Sequence, residues 1–477
     1  MELAELLSVG IDIGTSTTQV IFSSLEVENT SGYFTVPHIS IVDKKVVYKS
    51  PIYLTPLQTA SLIDGDAVRE LVSQEFAKAG YTPGDTATGA VIITGESARK
   101  ENSSLVLQKL SDFAGDFVVS TAGPDLEAII AGKGSGAYQY SLDNHCRVAN
   151  LDIGGGTTNI VLFDSGEVIA RGCVDVGGRL IRVGSDMTVE KISPAAALAA
   201  QAAGIELAVG RRTTKEQLIQ VTNQMAQLLE ELLGLKPPSS LLAAVQTPGS
   251  TPFEPKGSVE RVCFSGGVAD AIYGQSSNPF AYGDIGVLLG QSIVKSRMFS
   301  ALRVLEAKET IRATVVGAGT YTTSISGSTI TYTGDVFPLK NVPVLRLNQD
   351  QQQSCFAGEA EPLTRLVAWF LEQNSADRLI LAMPGKPDPS YLELKAIARV
   401  LARVLNKALP PGAPIIVVVE CDIAKALGQA MQSFLGQNRG VVAVDSIHVE
   451  QNDYVDMGKP IMDGMVIPVV VKTLIFG

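Results

Sequence analysis

The chain has 477 residues, 45% hydrophobic and 18% charged, with a formal net charge of −11. That balance describes a well-packed globular protein with room for two to four domains and excludes a disordered chain. The acidic excess and the lack of a long basic run argue against non-specific nucleic-acid binding, and no apolar run reaches the roughly 18 residues of a membrane span.

Ser8 to Ile13 reads as a strand, followed by a Gly/Thr/Ser turn and a return strand, Gln19 to Ser23. Residues 26–60 are polar and β-prone and predict hairpins; 64–79 predicts a helix. Val91 to Thr94 predicts a buried strand, 97–114 a helix and Phe117 to Ser120 a strand. Gly123-Pro124 opens a helix to about Ala131, and a flexible glycine stretch is expected from Gly132 to Gly136. Val148 to Ile153 and Asn159 to Phe163 predict a second strand pair around the turn Gly154 to Gly156.

Ser193-Pro194 is a helix start, with serine as cap and proline in the first turn. Over 214–233, Leu218, Val221, Met225, Leu228, Leu229 and Leu232 recur at helical spacing and predict a long amphipathic helix. Five prolines in 236–258 predict an exposed linker or insert. A strand from Val259 to Phe264 leads into Ser265-Gly266-Gly267, 286–297 predicts a helix, and Thr310 to Val316 predicts a further strand. The last third alternates helix and strand: helices at 359–373, 390–406 and 423–435 (capped by Asp422), strands at Leu379 to Ala382, Ile415 to Val419 and Val441 to Asp445. β-type segments close the chain, and Asp453 to Lys459 reads as a solvated hairpin.

The five cysteines, Cys146, Cys173, Cys263, Cys355 and Cys421, are scattered and odd in number, which fits core residues in a reducing compartment. With only His38, His145 and His448, chemistry built on a histidine base or a histidine-rich metal site is not expected. The start, Met1-Glu2-Leu3-Ala4-Glu5, lacks the basic region of a signal peptide, so a cytoplasmic protein is expected.

Two segments match 140 residues apart: Ile11-Asp12-Ile13-Gly14-Thr15-Ser16-Thr17-Thr18 and Leu151-Asp152-Ile153-Gly154-Gly155-Gly156-Thr157-Thr158. Each lies between apolar β runs, so the repeat predicts two similar lobes. Glycines and small hydroxyl residues let such a turn aim consecutive N–H groups at an anion. A carboxylate beside a phosphate needs a cation between them, and Mg²⁺, which keeps its waters and takes few protein carboxylates, suits Asp12 and Asp152. Two facing turns would clamp a polyphosphate, where transfer depends on positioning and charge. No Gly-Lys-Ser/Thr follows, so this is not a P-loop.

The pair resembles the phosphate motifs of the actin, heat-shock chaperone and sugar-kinase superfamily. The resemblance implies an α/β, two-lobed actin-like ATPase fold of duplicated ribonuclease H-like lobes, binding ATP and Mg²⁺. An additional C-terminal α/β region completes it, parcelled as 1–147, 148–340 and 341–477. It also implies an adenosine motif, matched by Val262 to Ala269 with Gly266-Gly267; Gly317-Ala318-Gly319 is the alternative. The interdomain helix of the superfamily is matched by Gly123 to Gly132. Glu127 and Asp175 are the candidates to orient water, with Gly123 standing where many relatives have an acid or amide.

Along nearly its whole length the chain resembles the ethanolamine ammonia-lyase reactivating family. The family-specific segments are Glu127 to Ala137, Tyr282 to Gly286, Ile311 to Gly319, Ser326 to Ile330, Asn341 to Val344, Asp453 to Pro460 and Val471 to Leu474. The resemblance implies a chaperone that binds inactivated, cobalamin-bound ethanolamine ammonia-lyase and uses ATP to release damaged cobalamin. Intact adenosylcobalamin then rebinds. It further implies a cytoplasmic location in association with the ethanolamine-utilisation microcompartment. Two other readings stay open on the residues alone: a small-molecule kinase of the same superfamily, and an actin-like filament or scaffold protein.

Overall fold

The computed structural model describes residues 4–473 except 15–16, 30–38, 60–61, 95–101, 103–104, 107–108, 111–117, 122, 256, 275–277, 322–323, 326–329, 375, 437–438, 452, 461–463 and 465. The expected helix at 97–114 lies largely outside these residues.

Two sheets share one plan. In the first, β1 (Ala4–Ile13), β2 (Thr17–Asn29), β3 (Ile39–Lys49), β4 (Thr88–Ile93) and β5 (Val118–Thr121) run in the order β3-β2-β1-β4-β5, with Tyr53–Leu54 added beside β2. In the second, β6 (Arg147–Ile153), β7 (Thr158–Asp164), β8 (Glu167–Val174), β9 (Arg261–Ser265) and β10 (Arg303–Leu305) run β8-β7-β6-β9-β10. In both, the first three strands are antiparallel and the fourth and fifth join parallel to the first. The apolar runs around each turn are buried on both faces, which is why they read as unbroken hydrophobic strings.

A third sheet follows, from β11 (Ser324–Ile325), β12 (Thr331–Tyr332), β13 (Leu339–Arg346), β14 (Ile380–Met383), β15 (Ile415–Val419), β16 (Val441–Asp445), β17 (Asp453–Met457) and β18 (Pro468–Thr473). Its order is β11-β18-β17-β13-β14-β15-β16-β12, with β13 to β16 parallel. Alternate residues of β14 and β15 enter two separate cores: Leu381 and Val417 on one face, Ile380 and Ile416 on the other. Asp453 to Met457 is therefore a buried strand between β13 and β18, not a solvated hairpin; Asp453 is 3% and Asp456 5% exposed.

Among the helices, α1 (Gly65–Ala79) covers the first sheet, its cap Asp64 accepting the Ala67 N–H. α2 (Pro124–Gly134) runs past the expected flexible stretch: Gly132 and Gly134 are helical and buried, and a second helix starts at Ala137. α3 (Lys215–Leu232) buries all six residues of its predicted apolar face and opens with the capping box Thr214/Gln217. The proline-rich segment after it is not a free linker. It holds a short helix at Ser240–Ala244, and Thr251 donates to Asp125 through both its N–H and its hydroxyl. The strand expected at Thr310 to Val316 is instead helix α4 (Ala313–Tyr321). β-branched Thr314, Val315 and Val316 suggested a strand locally, but packing between the sheets overrides propensity. In the third unit, α5 (Glu361–Gln373), α6 (Tyr391–Ala408) and α7 (Ala424–Leu435) pack on one face of the sheet. The residue at the start of α7 is Ile423, not Asp422.

The two lobes exchange helices. α2, which follows the first sheet, packs on β6, β7 and β8 of the second; α4, which follows the second, packs on β1, β2 and β4 of the first. The helices cross at their backbones. A Cβ on Gly134 would run into the Ala313 carbonyl, and one on Gly317 into the Ile130 carbonyl. Ser8 Oγ, on β1, donates to Gly319 O at 2.6 Å. With β11 and β12 paired into the third sheet, elements cross the limit expected at 340/341, and 1–147, 148–340 and 341–477 remain a proposed parcelling.

No helix among the described residues is long and apolar enough to cross a membrane. Gly317→Val should force the crossing helices apart and cost about 2–3 kcal/mol or more. Differential scanning calorimetry should show a lowered first transition; an unchanged trace would refute the close crossing.

Candidate active site

The first strand of each lobe delivers an aspartate to its end, where the glycine turn follows. Asp12 faces Gln19 across β1 and β2; Asp152 faces Asn159 across β6 and β7. Both turns close with the same backbone bond: Gly14 N–H to Thr17 O at 2.8 Å, and Gly154 N–H to Thr157 O at 2.9 Å. The repeat in sequence is thus a repeat in geometry.

Each carboxylate is held by one hydroxyl from the strand lying parallel to it. Thr94 Oγ1 donates to Asp12 Oδ1 at 3.0 Å, and Ser265 Oγ donates to Asp152 Oδ1 at 2.6 Å. Asn150 Nδ2 in turn donates to the Ser265 hydroxyl. Both carboxylates are almost out of reach of water, Asp12 at 9% exposure and Asp152 at 5%. Burial pushes Asp12 from 3.8 up to about 7; the Thr94 bond opposes this and the nearby Asp152 charge adds to it. Burial likewise pushes Asp152 up to about 6, against the Ser265 bond.

Two further residues belong to this arrangement. Gln19 and Asn159 occupy equivalent places in the repeat, are each 2% exposed, and leave Oε1 and Oδ1 without a hydrogen-bond donor among the described residues. A buried amide oxygen beside a buried carboxylate, once in each lobe, is a donor set of hard oxygens. Among the described residues no three His, Cys, Asp or Glu side chains stand together to enclose a metal. Two carboxylates and two amide oxygens therefore fit a cation that keeps part of its water shell, as Mg²⁺ does.

Of the predicted turn residues, Thr15 and Ser16 lie outside the described residues, and Thr17 begins β2. Gly154, Gly155, Gly156 and Thr157 form the second turn and reach the surface. Thr158 does not: it is fully buried, and its hydroxyl is spent on Val176 O at 2.7 Å, so it braces the turn from behind. Gly178 and Arg179 donate their N–H groups to Gly154 O and Gly155 O, a second brace absent from the sequence reading.

Gly266-Gly267 follows β9, whose Ser265 holds Asp152, so the adenosine candidate adjoins the second turn. Gly266 has φ +83°, and a Cβ there would meet the Ile153 carbonyl, so only glycine fits. The alternative, Gly317 to Gly319, lies inside α4 at the helix crossing, where its small size serves packing. Glu127 is 9% exposed in the first turn of α2. Burial pushes the Cys173 thiol up to about 12; a Thr247 bond opposes this, and Glu127 and Asp175 add to it. The charges of Glu127 and Asp175 both act on Cys173, whose thiol Thr157 also contacts, so the two candidate acids lie on the same side of the second turn. Asp125, two residues before Glu127, is committed to Arg171 and Thr251.

Thr94 and Ser265 were findable. Val91-Ile92-Ile93-Thr94-Gly95 and Val262-Cys263-Phe264-Ser265-Gly266 are themselves a repeat, with a small hydroxyl residue before glycine at the end of the fourth strand of each lobe. Gln19 and Asn159 carry the weaker signal of standing seven residues after each aspartate.

Two lobes of one strand order, each ending its first strand in an aspartate beside a glycine turn and lending a helix to the other, define the actin-like class of two-lobed α/β proteins. Within that class, the family model described as ethanolamine utilisation protein EutA matches residues 4–477, and the chain belongs to that family. It is similar to the ethanolamine ammonia-lyase reactivase EutA of Escherichia coli strain K12, at 36% identity over 484 residues and 100% of both chains. The reactivase of the same name from Salmonella typhimurium strain LT2 is 35% identical over 485 residues, again with 100% of both covered. Among solved structures, an Aquifex aeolicus Ppx/GppA phosphatase matches with a TM-score of 0.39 and 13% identity, over 66% of this chain and 99% of that one.

Both aspartates titrate higher in the fold than in an unfolded chain, so their contribution favours the fold below about pH 4 and is lost as pH rises through about 6 to 7. Thermal unfolding of the metal-free protein should therefore move to lower temperature between pH 5 and pH 8, and Asp12→Asn should make that slope shallower.

Proposed function

We propose that this protein is a Mg²⁺-dependent ATPase that reactivates ethanolamine ammonia-lyase. It would bind the inactivated, cobalamin-bound lyase and couple ATP hydrolysis to release of damaged cobalamin, so that intact adenosylcobalamin can enter. The observation that carries the nucleotide half is the pair of buried aspartates, one per lobe, each beside a turn closed by the same backbone bond. The client is taken from the full-length relatives, which are named for that role.

In this reading Asp12 and Asp152 hold Mg²⁺, with Gln19 and Asn159 accepting from its waters. Gly14, Thr15, Ser16 and Thr17 on one side, and Gly154, Gly155, Gly156 and Thr157 on the other, present N–H and hydroxyl donors to the phosphates. Gly266 and Gly267 leave room for the adenosine. When bound, the metal neutralises phosphate charge and orients the terminal phosphoryl group. Glu127 or Asp175 would then orient water, since the charge of each acts on Cys173, which Thr157 also contacts. Helix exchange supports the coupling, because a change of angle between the lobes would turn α2 and α4 against each other. Association with an ethanolamine-utilisation microcompartment in the cytoplasm accompanies the reading.

Lyase inactivated with cyanocobalamin should regain activity when this protein, ATP, Mg²⁺ and adenosylcobalamin are added. Absence of recovery beside a working reactivase control would overturn the proposal. Asp12→Asn and Asp152→Asn should each lower ATP hydrolysis by at least about 100-fold, roughly 2.7 kcal/mol of transition-state stabilisation. Glu127→Gln and Asp175→Asn, compared by steady-state kinetics, should split: the water-orienting residue loses kcat with little change in KM, and the other leaves both near wild type.

A further inference from the structure

The third unit carries a surface that the nucleotide site does not use. Helix α6 opens with the capping box Ser390/Glu393 and presents Lys395, Arg399, Arg403 and Lys407 to solvent at steps of four. Steps of four advance about 40° around a helix, so the four cations stay within about 120° of one side. Glu393 is the only acid of the helix, and it is occupied by Ser390 and Lys386. None of the four cations forms an ion pair with any described residue. The neighbouring α7 has no acid in its sequence and carries one exposed cation, Lys425.

Like charges at this spacing destabilise a helix, and the chain, with 49 acids against 38 bases, places no acid among them. Aromatic and aliphatic groups sit between the charges. The Arg399 guanidinium lies over the Phe434 ring at 5.3 Å, and Lys395 Nζ lies over Tyr391 at 5.6 Å. Tyr391 and Leu392 are 72% and 76% exposed. Arginine and tyrosine in one patch are the composition of a protein interface. A chain of net charge −11 is repelled by a long polyanion or an anionic membrane, whereas a short cationic face can still meet a local acidic patch.

We propose that the exposed face of α6, with Phe434 of α7, docks a carboxylate-rich protein surface, and, resting on the reactivase reading, that this surface belongs to the inactivated lyase. The third unit is joined to the first lobe through Val466, which packs on Leu6, Leu25 and Val27. A client held by α6 is therefore tied to one lobe and displaced relative to the other when the angle between them changes.

The test is binding of cyanocobalamin-inactivated lyase to the full-length protein by surface plasmon resonance, alongside lyase recovery and basal ATP hydrolysis. Reversing Lys395→Glu, Arg399→Glu and Arg403→Glu together should weaken binding at least tenfold and leave basal ATP hydrolysis unchanged. For the unaltered protein, affinity should fall steadily between 50 and 300 mM salt, an arm that needs no variant to fold. Equal binding by the variant, or salt-independent binding, would overturn the docking face and leave the reactivase reading standing. No binding and no recovery by the unaltered protein would overturn both. Binding to phosphatidylserine vesicles or to DNA, or self-association, lost on charge reversal while lyase binding is kept, would also overturn it.

Discussion

Everything in this molecule is arranged around two carboxylates that have been taken out of water near one another. A buried charge without a partner is among the costliest features a fold can carry. Asp12 and Asp152 each have one hydroxyl and, across the hairpin, one amide whose oxygen finds no donor among the described residues. Protonation relieves the cost of burial, which is why both titrate high. A cation would relieve it better, and the two amide oxygens would then have waters to accept from. In the proposed reading the site is completed from outside, and each half of its demand comes from a different lobe.

The helix exchange makes this arrangement possible. Facing aspartates repel, and two separate lobes would drift apart. Here α2 and α4 cross at glycine backbones, and each covers the sheet of the opposite lobe. The hydrophobic burial of one lobe, with Ile21 packed on Val315 and Val316 and Ala128 near Val161, is paid for in residues of the other.

Much of this is legible in the amino-acid sequence alone. The strands around Asp12 and Asp152 follow from apolar runs, the long helix α3 from six residues at helical spacing, and the α/β character of the last third from alternation. The departures share one physical cause. Ala313 to Tyr321 carries β-branched residues, and Gly132 to Gly134 carries glycines, so local preference argued for strand and for flexible chain. Both are helices because they fill a narrow gap between two sheets, where only small residues let backbones touch. Asp453 and Asp456 looked like solvated hairpin residues, yet they lie in a strand paired on both sides, which no local pattern announces. Within the site, the turns were readable as a repeat. The supporting hydroxyls of Thr94 and Ser265 were present in a second, fainter repeat, and the brace from Gly178 and Arg179 had no sequence signal.

The helix exchange also bears on how the chain is made. All the described strands of the first sheet are encoded by residue 121, but the helix that covers its inner face is not encoded until residues 313–321. A ribosome must therefore add nearly two hundred residues while the part of that apolar face covered by α4 stands bare, in a chain whose domains would otherwise fold in order of synthesis. The first lobe is the earliest part to be written and among the last to be finished, so the protein that would rescue another is itself exposed to misfolding for the length of one lobe.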